Sequence, residues 1–126
     1  MATFGSYGNL GGELVSVVEI NQAIGGATTT VYTVPNGRYA LVVIRYIVTG
    51  LVGTFVRFNY SGFYFEYGNR SFYPAHFTNN TESMAPAVGL AQNVQDNFEP
   101  KLMSEGETIT VNSSNINFLI FEYRKP

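Results

Sequence analysis

Two carboxylates, Glu105 and Glu107, flank Gly106 near the end of the chain, and paired carboxylates are the working groups of glycoside hydrolysis. Their setting, Ser104-Glu105-Gly106-Glu107 between two apolar runs, reads instead as a solvated turn. Asp96 and Glu99 stand in no recognisable acid–base pattern. His76 is the only histidine and cysteine is absent, so neither a histidine cluster for a cupin-type metal nor a thiolate site can be assembled. No Gly-x-Ser-x-Gly elbow, phosphate loop or dinucleotide fingerprint occurs. The expectation is a chain with no catalytic residues, no cofactor and no metal, and not an enzyme.

Four charges fall inside strand-like runs rather than at their ends: Arg45, Arg57, Glu66 and Glu122. Charge at such positions is costly unless paired, which predicts Arg–Glu bridges between strands or between subunits. Arg57 also fits a wet outward position. Arg45, flanked by Val43, Ile44, Tyr46 and Ile47, fits one less well.

The elements that must hold these residues are β-strands. Thr30 to Thr49 is two β-branched and aromatic runs around Pro35-Asn36-Gly37, the strongest corner signal in the chain. Strands are also expected over Glu13–Ile20, Thr28–Val34, Thr54–Tyr60, Phe63–Tyr67, Leu102–Met103, Thr108–Asn112 and Ile116–Tyr123, with a short one near Ser71–Thr78. Ala87–Val94 fits a helical turn. About seven to nine strands with little or no helix give an all-β antiparallel sandwich of jelly-roll type.

The sequence has 126 residues, enough for one domain that buries about two-thirds of its unfolded surface. That domain is expected over 13–126. Residues 1–12, with four glycines (Gly5, Gly8, Gly11 and Gly12) interspersed with Phe4, Tyr7 and Leu10, read either as a frayed terminus or as an arm docking Phe4 and Tyr7 on a neighbour. Residues 68–100 form a long loop region punctuated by Pro74, Pro86 and Pro100. Within it Met84, Val88 and Leu90 are too apolar for a solvated loop, which predicts cover by the chain's own sheet or by a partner. A net charge of −2 without a basic cluster argues against nucleic acid. No run is apolar over the length of a membrane helix, and the first residues show no signal-peptide pattern.

The strands carry one anomaly. Residues 41–48 and 116–123 are apolar on both alternating faces, whereas a sandwich strand turns only one face to the core. Leu41, Val43 and Ile47, with Leu119, Phe121 and Tyr123 (or their opposite sets), are therefore expected to point outward. A contiguous patch of this kind marks an interface. Self-association through Leu41, Val43, Arg45, Ile47, Leu119, Phe121 and Tyr123 follows as an expectation, against the alternative that the long loop folds over the patch.

Three segments carry a family resemblance: Val31-Tyr32-Thr33-Val34-Pro35-Asn36-Gly37-Arg38-Tyr39-Ala40, Leu102-Met103-Ser104-Glu105-Gly106-Glu107-Thr108-Ile109-Thr110-Val111, and Phe118-Leu119-Ile120-Phe121-Glu122-Tyr123. Together they resemble small jelly-roll virion proteins of tailed bacteriophages. The resemblance implies a decoration (cement) protein on the capsid surface of the virion, commonly a homotrimer. Its partner would be the major capsid protein, reached through Phe4, Tyr7, Met84, Val88 and Leu90. It brings no catalytic residues and no cofactor. A second reading is a receptor- or glycan-binding module of a head or tail fibre, with Tyr64, Tyr67 and Tyr73 stacking on sugars. A third, a tumour-necrosis-factor-like trimer, fits less well with the missing signal or anchor pattern.

Overall fold

A computed structural model describes residues 12–49, 53–68, 81–83, 93–95 and 98–126. Ten strands and no helix occur among them: β1 Leu14–Ile24, β2 Thr29–Thr33, β3 Arg38–Thr49, β4 Phe55–Tyr60, β5 Phe63–Gly68, β6 Thr81–Ser83, β7 Asn93–Gln95, β8 Lys101–Ser104, β9 Thr108–Asn112 and β10 Ser114–Arg124. The helical turn expected over 87–94 meets strand β7 at its last two positions and otherwise lies outside the described residues. So do the short strand expected near Ser71–Thr78, and Phe4, Tyr7, Met84, Val88, Leu90, His76, Tyr73 and Asp96.

One sheet runs β1-β10-β3, with β8 and β7 sharing the far edge of β3; the other runs β2-β9-β4-β5-β6. The antiparallel pairs nest: β1 with β10, β2 with β9, β3 with β8, β4 with β5. Pairing of β10 with β3 and of β9 with β4 then rolls this nested hairpin into two sheets. The result is an antiparallel β-sandwich with jelly-roll-like nesting of its strands. Among the described strands only β5–β6 pair in parallel.

Local chemistry makes the corners. Gly37 takes φ of 76° in the Pro35-Asn36-Gly37 turn, a region that side chains avoid, and Arg38 N–H donates to the Pro35 carbonyl. Gly12 is required by close approach: a Cβ there would sit 2.1 Å from the Arg124 carbonyl oxygen. The same contact lets Arg124 N–H donate to the Glu13 carbonyl at 2.8 Å.

Between the sheets, Val42, Ile44, Ile116, Phe118 and Ile120 meet Val56, Phe58, Tyr67, Ile109 and Val111. Phe58 sets the aromatic centre, edge-on to Tyr67 at 6.1 Å and tilted against Phe118 at 5.8 Å.

One irregularity changes the facing of β3. Phe118 pairs with Ile44 but Asn117 pairs with Tyr46, leaving Arg45 as the extra residue of a bulge. Before it Ala40, Val42 and Ile44 point inward; after it Ile47 does, at 0% exposure. The expectation that Ile47 lies on the outer face is therefore corrected. Strict alternation breaks where two residues oppose one.

Ile47→Ala should lower stability by about 2–5 kcal/mol through lost transfer and a residual cavity. Chemical denaturation checks the loss, and sedimentation should show the mass unchanged, as for a core residue.

Candidate interaction surface

The outer face of the β1-β10-β3-β8 sheet carries residues in cross-strand rows. Leu14, Tyr123, Tyr39 and Ser104 form the first; Val17, Phe121, Leu41 and Leu102 the second; Glu19, Leu119 and Val43 the third. Side chains directly opposite on adjacent strands share a face. The outward side of β10 is fixed independently, because Glu122 reaches Tyr32 of the opposite sheet and so points inward. Leu41, Val43, Leu119, Phe121 and Tyr123 thus lie together. Tyr39 stacks on Tyr123 with ring centroids 5.2 Å apart, and burial raises both phenol pKa values above the ordinary range.

Exposure along the second row is uneven. Val17 is 51% and Leu102 42% exposed, whereas Leu41 is 1%. Leu41 and Tyr123 are already buried within the chain, so the area open to a partner comes mainly from the flanks. Val17, Tyr39 and Leu102 belong to this face although sequence patterning did not select them. The apolar run of β1 was the available signal, but only register shows where it lies. Beside Leu102 is a hollow of about 250 Å³ lined by Tyr39, Leu102, Ser104, Lys125 and Pro126.

Arg45 sits at the polar margin of this face and is exposed rather than enclosed, because the bulge turns it out. It reaches across β10 to Glu19 at 3.6 Å, a solvated pair worth at most about 1 kcal/mol. Next to it Tyr46 donates from its hydroxyl to Asn21 Oδ1 at 3.2 Å. Arg57, by contrast, is not simply wet. Its Nε and Nη2 donate to Glu66 Oε1 at 2.9 and 2.6 Å, and its guanidinium lies over Phe55 and Tyr64 at 4.1 and 4.3 Å. Glu66 is fully buried.

At one end of the roll Glu105 and Glu107 hold turns. Glu105 accepts from Gly37 N–H. Glu107 accepts from Ser104 N–H at 2.6 Å and Ser61 N–H at 3.1 Å, joining the β8–β9 turn to the β4–β5 turn. An open groove of about 600 Å³ beside them is lined by Asn59, Tyr60, Ser61 and Ser104 to Thr108. Burial, then the Glu107 charge, pushes the Tyr60 phenol up to about 12. Glu105 and Glu107 are thus clamps on backbone donors, in keeping with the turn reading.

Beneath these turns is an inward-facing triad. Tyr32 donates to Glu122 Oε2, and Arg38 Nη1 donates to Glu122 Oε1 at 2.7 Å. Desolvation, reinforced by Glu122, raises the Tyr32 pKa far above its ordinary value. Among the described residues no group of three or more His, Cys, Asp or Glu could hold a metal ion.

Compared with protein-family models, with curated proteins and with solved structures, the chain matches none.

Of the sugar-stacking residues, the two described tyrosines form no platform. Tyr67 is 2% exposed in the core, and Tyr64 underlies Arg57.

Phenols with raised folded-state pKa values contribute stability that is complete below their unfolded value of about 10 and lost as pH rises through the folded one. Stability should therefore fall from about pH 10 upward. Tyr32→Phe should cost about 1.5–3 kcal/mol near neutrality, because a buried carboxylate loses a donor. It should also flatten the alkaline decline. Denaturation midpoints measured from pH 7 to 11 check both.

Proposed function

We propose that this chain is a structural protein of the bacteriophage virion, a jelly-roll decoration protein that self-associates, as a trimer, and clamps neighbouring major capsid protein subunits. The observation that carries the reading is the apolar outer face of the β1-β10-β3-β8 sheet, where Leu41 and Phe121 share a row with Val17 and Leu102, and Tyr123, Val43 and Leu119 lie in the rows to either side. β1, β10 and β3, eleven or twelve residues long, and the four-residue β8 lie about 4.8 Å apart and rise about 3.3 Å per residue, a footprint of about 600 Å². A stable interface takes about 800 Å² from each partner; with Leu41 and Tyr123 already buried, this face supplies part of that area and contacts beyond it supply the rest.

The resemblance of the 31–40, 102–111 and 118–123 segments to phage virion proteins supplies the setting. The task suits the architecture. A decoration protein needs a stable shell, a surface for sister copies and contacts to several capsid subunits at once, so that avidity raises the cost of rupture. The carboxylates beside the open groove are spent on turns, which fits a role in assembly more closely than one in chemistry.

The purified protein should sediment at about three times the 13.9 kDa chain mass. Phe121→Asp should reduce it to a folded monomer, with circular dichroism confirming the β structure. Adding the protein to expanded phage heads that lack decoration, then pelleting them, should carry it into the pellet. A wild-type monomer at every concentration, or heads that leave it in the supernatant, would overturn the reading.

A further inference from the structure

We infer that Asn36 is a site of spontaneous deamidation, and that the Glu105 carboxylate, by holding the Gly37 amide, keeps the reaction slow while the chain is folded.

Asn36-Gly37 is the one Asn-Gly pair in the sequence, and it lies exposed at the corner between β2 and β3. The reaction is an attack by the Gly37 amide nitrogen on Asn36 Cγ. An N–Cγ bond forms, the Cγ–Nδ2 bond breaks, and ammonia leaves with the proton that the Gly37 nitrogen gives up. Water then opens the resulting succinimide. Opening at Cγ gives isoaspartate's counterpart with the ordinary main chain lost or kept according to which carbonyl water attacks: attack at the side-chain carbonyl yields aspartate, attack at the main-chain carbonyl yields isoaspartate. Water is the only co-reactant. Glycine in the following position makes the attack easy, because no Cβ crowds the nitrogen.

In the folded chain the attacking nitrogen is already engaged. Gly37 N–H donates to Glu105 Oε1. Cyclisation needs that hydrogen removed, and a carboxylate opposes the negative charge left behind. Lys125 Nζ stands 3.9 Å from the same oxygen, which tempers the charge and leaves the hydrogen bond in place. Two main-chain bonds pin the neighbouring peptide groups: the Gly37 carbonyl accepts from Lys125 N–H at 2.9 Å, and Arg38 N–H donates to the Pro35 carbonyl at 3.3 Å. Swinging the Gly37 nitrogen onto Asn36 Cγ breaks the Glu105 bond directly. Of the three restraints it is the one that a side-chain substitution removes.

The product matters to the fold. Isoaspartate adds one carbon to the main chain inside the Pro35–Arg38 turn, which the four-residue hydrogen-bonded geometry does not accommodate. That carbon enters just before β3, the strand that carries both core and outer-face residues. Either product also places a new carboxylate one residue from the amide that Glu105 holds.

Peptide mapping by mass spectrometry, after incubation near neutral pH, reads the reaction at each asparagine. Asn36 in the folded protein should convert at least about tenfold more slowly than in the same chain unfolded in guanidinium chloride. Glu105→Ala should raise the folded-state rate at Asn36 about three- to tenfold. Glu105→Gln, whose side-chain oxygen still accepts from Gly37 N–H, should convert more slowly than Glu105→Ala. Asn112, whose Oδ1 accepts from Phe55 N–H, is the internal reference and should stay slow in every folded variant. Equal rates in folded and unfolded wild type, no acceleration in Glu105→Ala, a Glu105→Gln rate as high as that of Glu105→Ala, or an equal rise at Asn112 would each overturn the inference.

Discussion

The register of β10 against β3 is the constraint on which the rest of the molecule depends. These strands pair over nearly their whole length and join the two termini of the roll, because β10 also holds β1. Their inward residues, Val42, Ile44, Ile116, Phe118 and Ile120, form much of one wall of the core. Their outward residues form the candidate interface. Because alternate side chains face opposite ways, a slip of one residue would exchange wall and interface completely. The bulge at Arg45 is such a slip confined to one strand. It returns Ile47 to the core and turns Arg45 to solvent, ending the apolar field where Glu19, Asn21 and Tyr46 begin.

Polar groups inside the fold are handled by pairing. Glu122 receives Tyr32 and Arg38, and Glu66 receives Arg57. Removing one partner from such an arrangement leaves a buried charge uncompensated, a larger loss than the pair's net worth. Both pairs lie inside strands, where the sequence marks charges as anomalous. Glu122 bridges the two sheets through Tyr32, whereas Glu66 and Arg57 join adjacent strands, with the Arg57 guanidinium lying over the Phe55 and Tyr64 rings. Asn117 is the exception among the described residues: its Oδ1 is buried without a hydrogen-bond partner, beside the bulge.

The turns at the end holding Pro35, Ser61 and Glu105 are tied into one unit by carboxylate–backbone bonds. This explains why Glu105 and Glu107 look catalytic by spacing and do something else. Two carboxylates across one glycine suffice to cap neighbouring backbone donors, and the nested order of strands brings those donors to them. In the same way Tyr67 reads as a surface aromatic only when strand β5 is considered alone. Packing against Phe58, Phe65 and Phe98 makes it part of the core.

Local patterning in the chain determined the β class, most strand positions, the Pro35-Asn36-Gly37 corner and the presence of two strands apolar on both sides. Those properties depend on backbone preference and on a two-residue period, which neighbours in sequence encode. Tertiary structure decided which strands became neighbours, where the phase of β3 inverted, and that Val17 and Leu102 share a row with Phe121 and Leu41. Those relations arise between residues far apart in the chain, through hydrogen-bond register. A single extra residue at Arg45 shifts them without leaving a mark in the alternation itself.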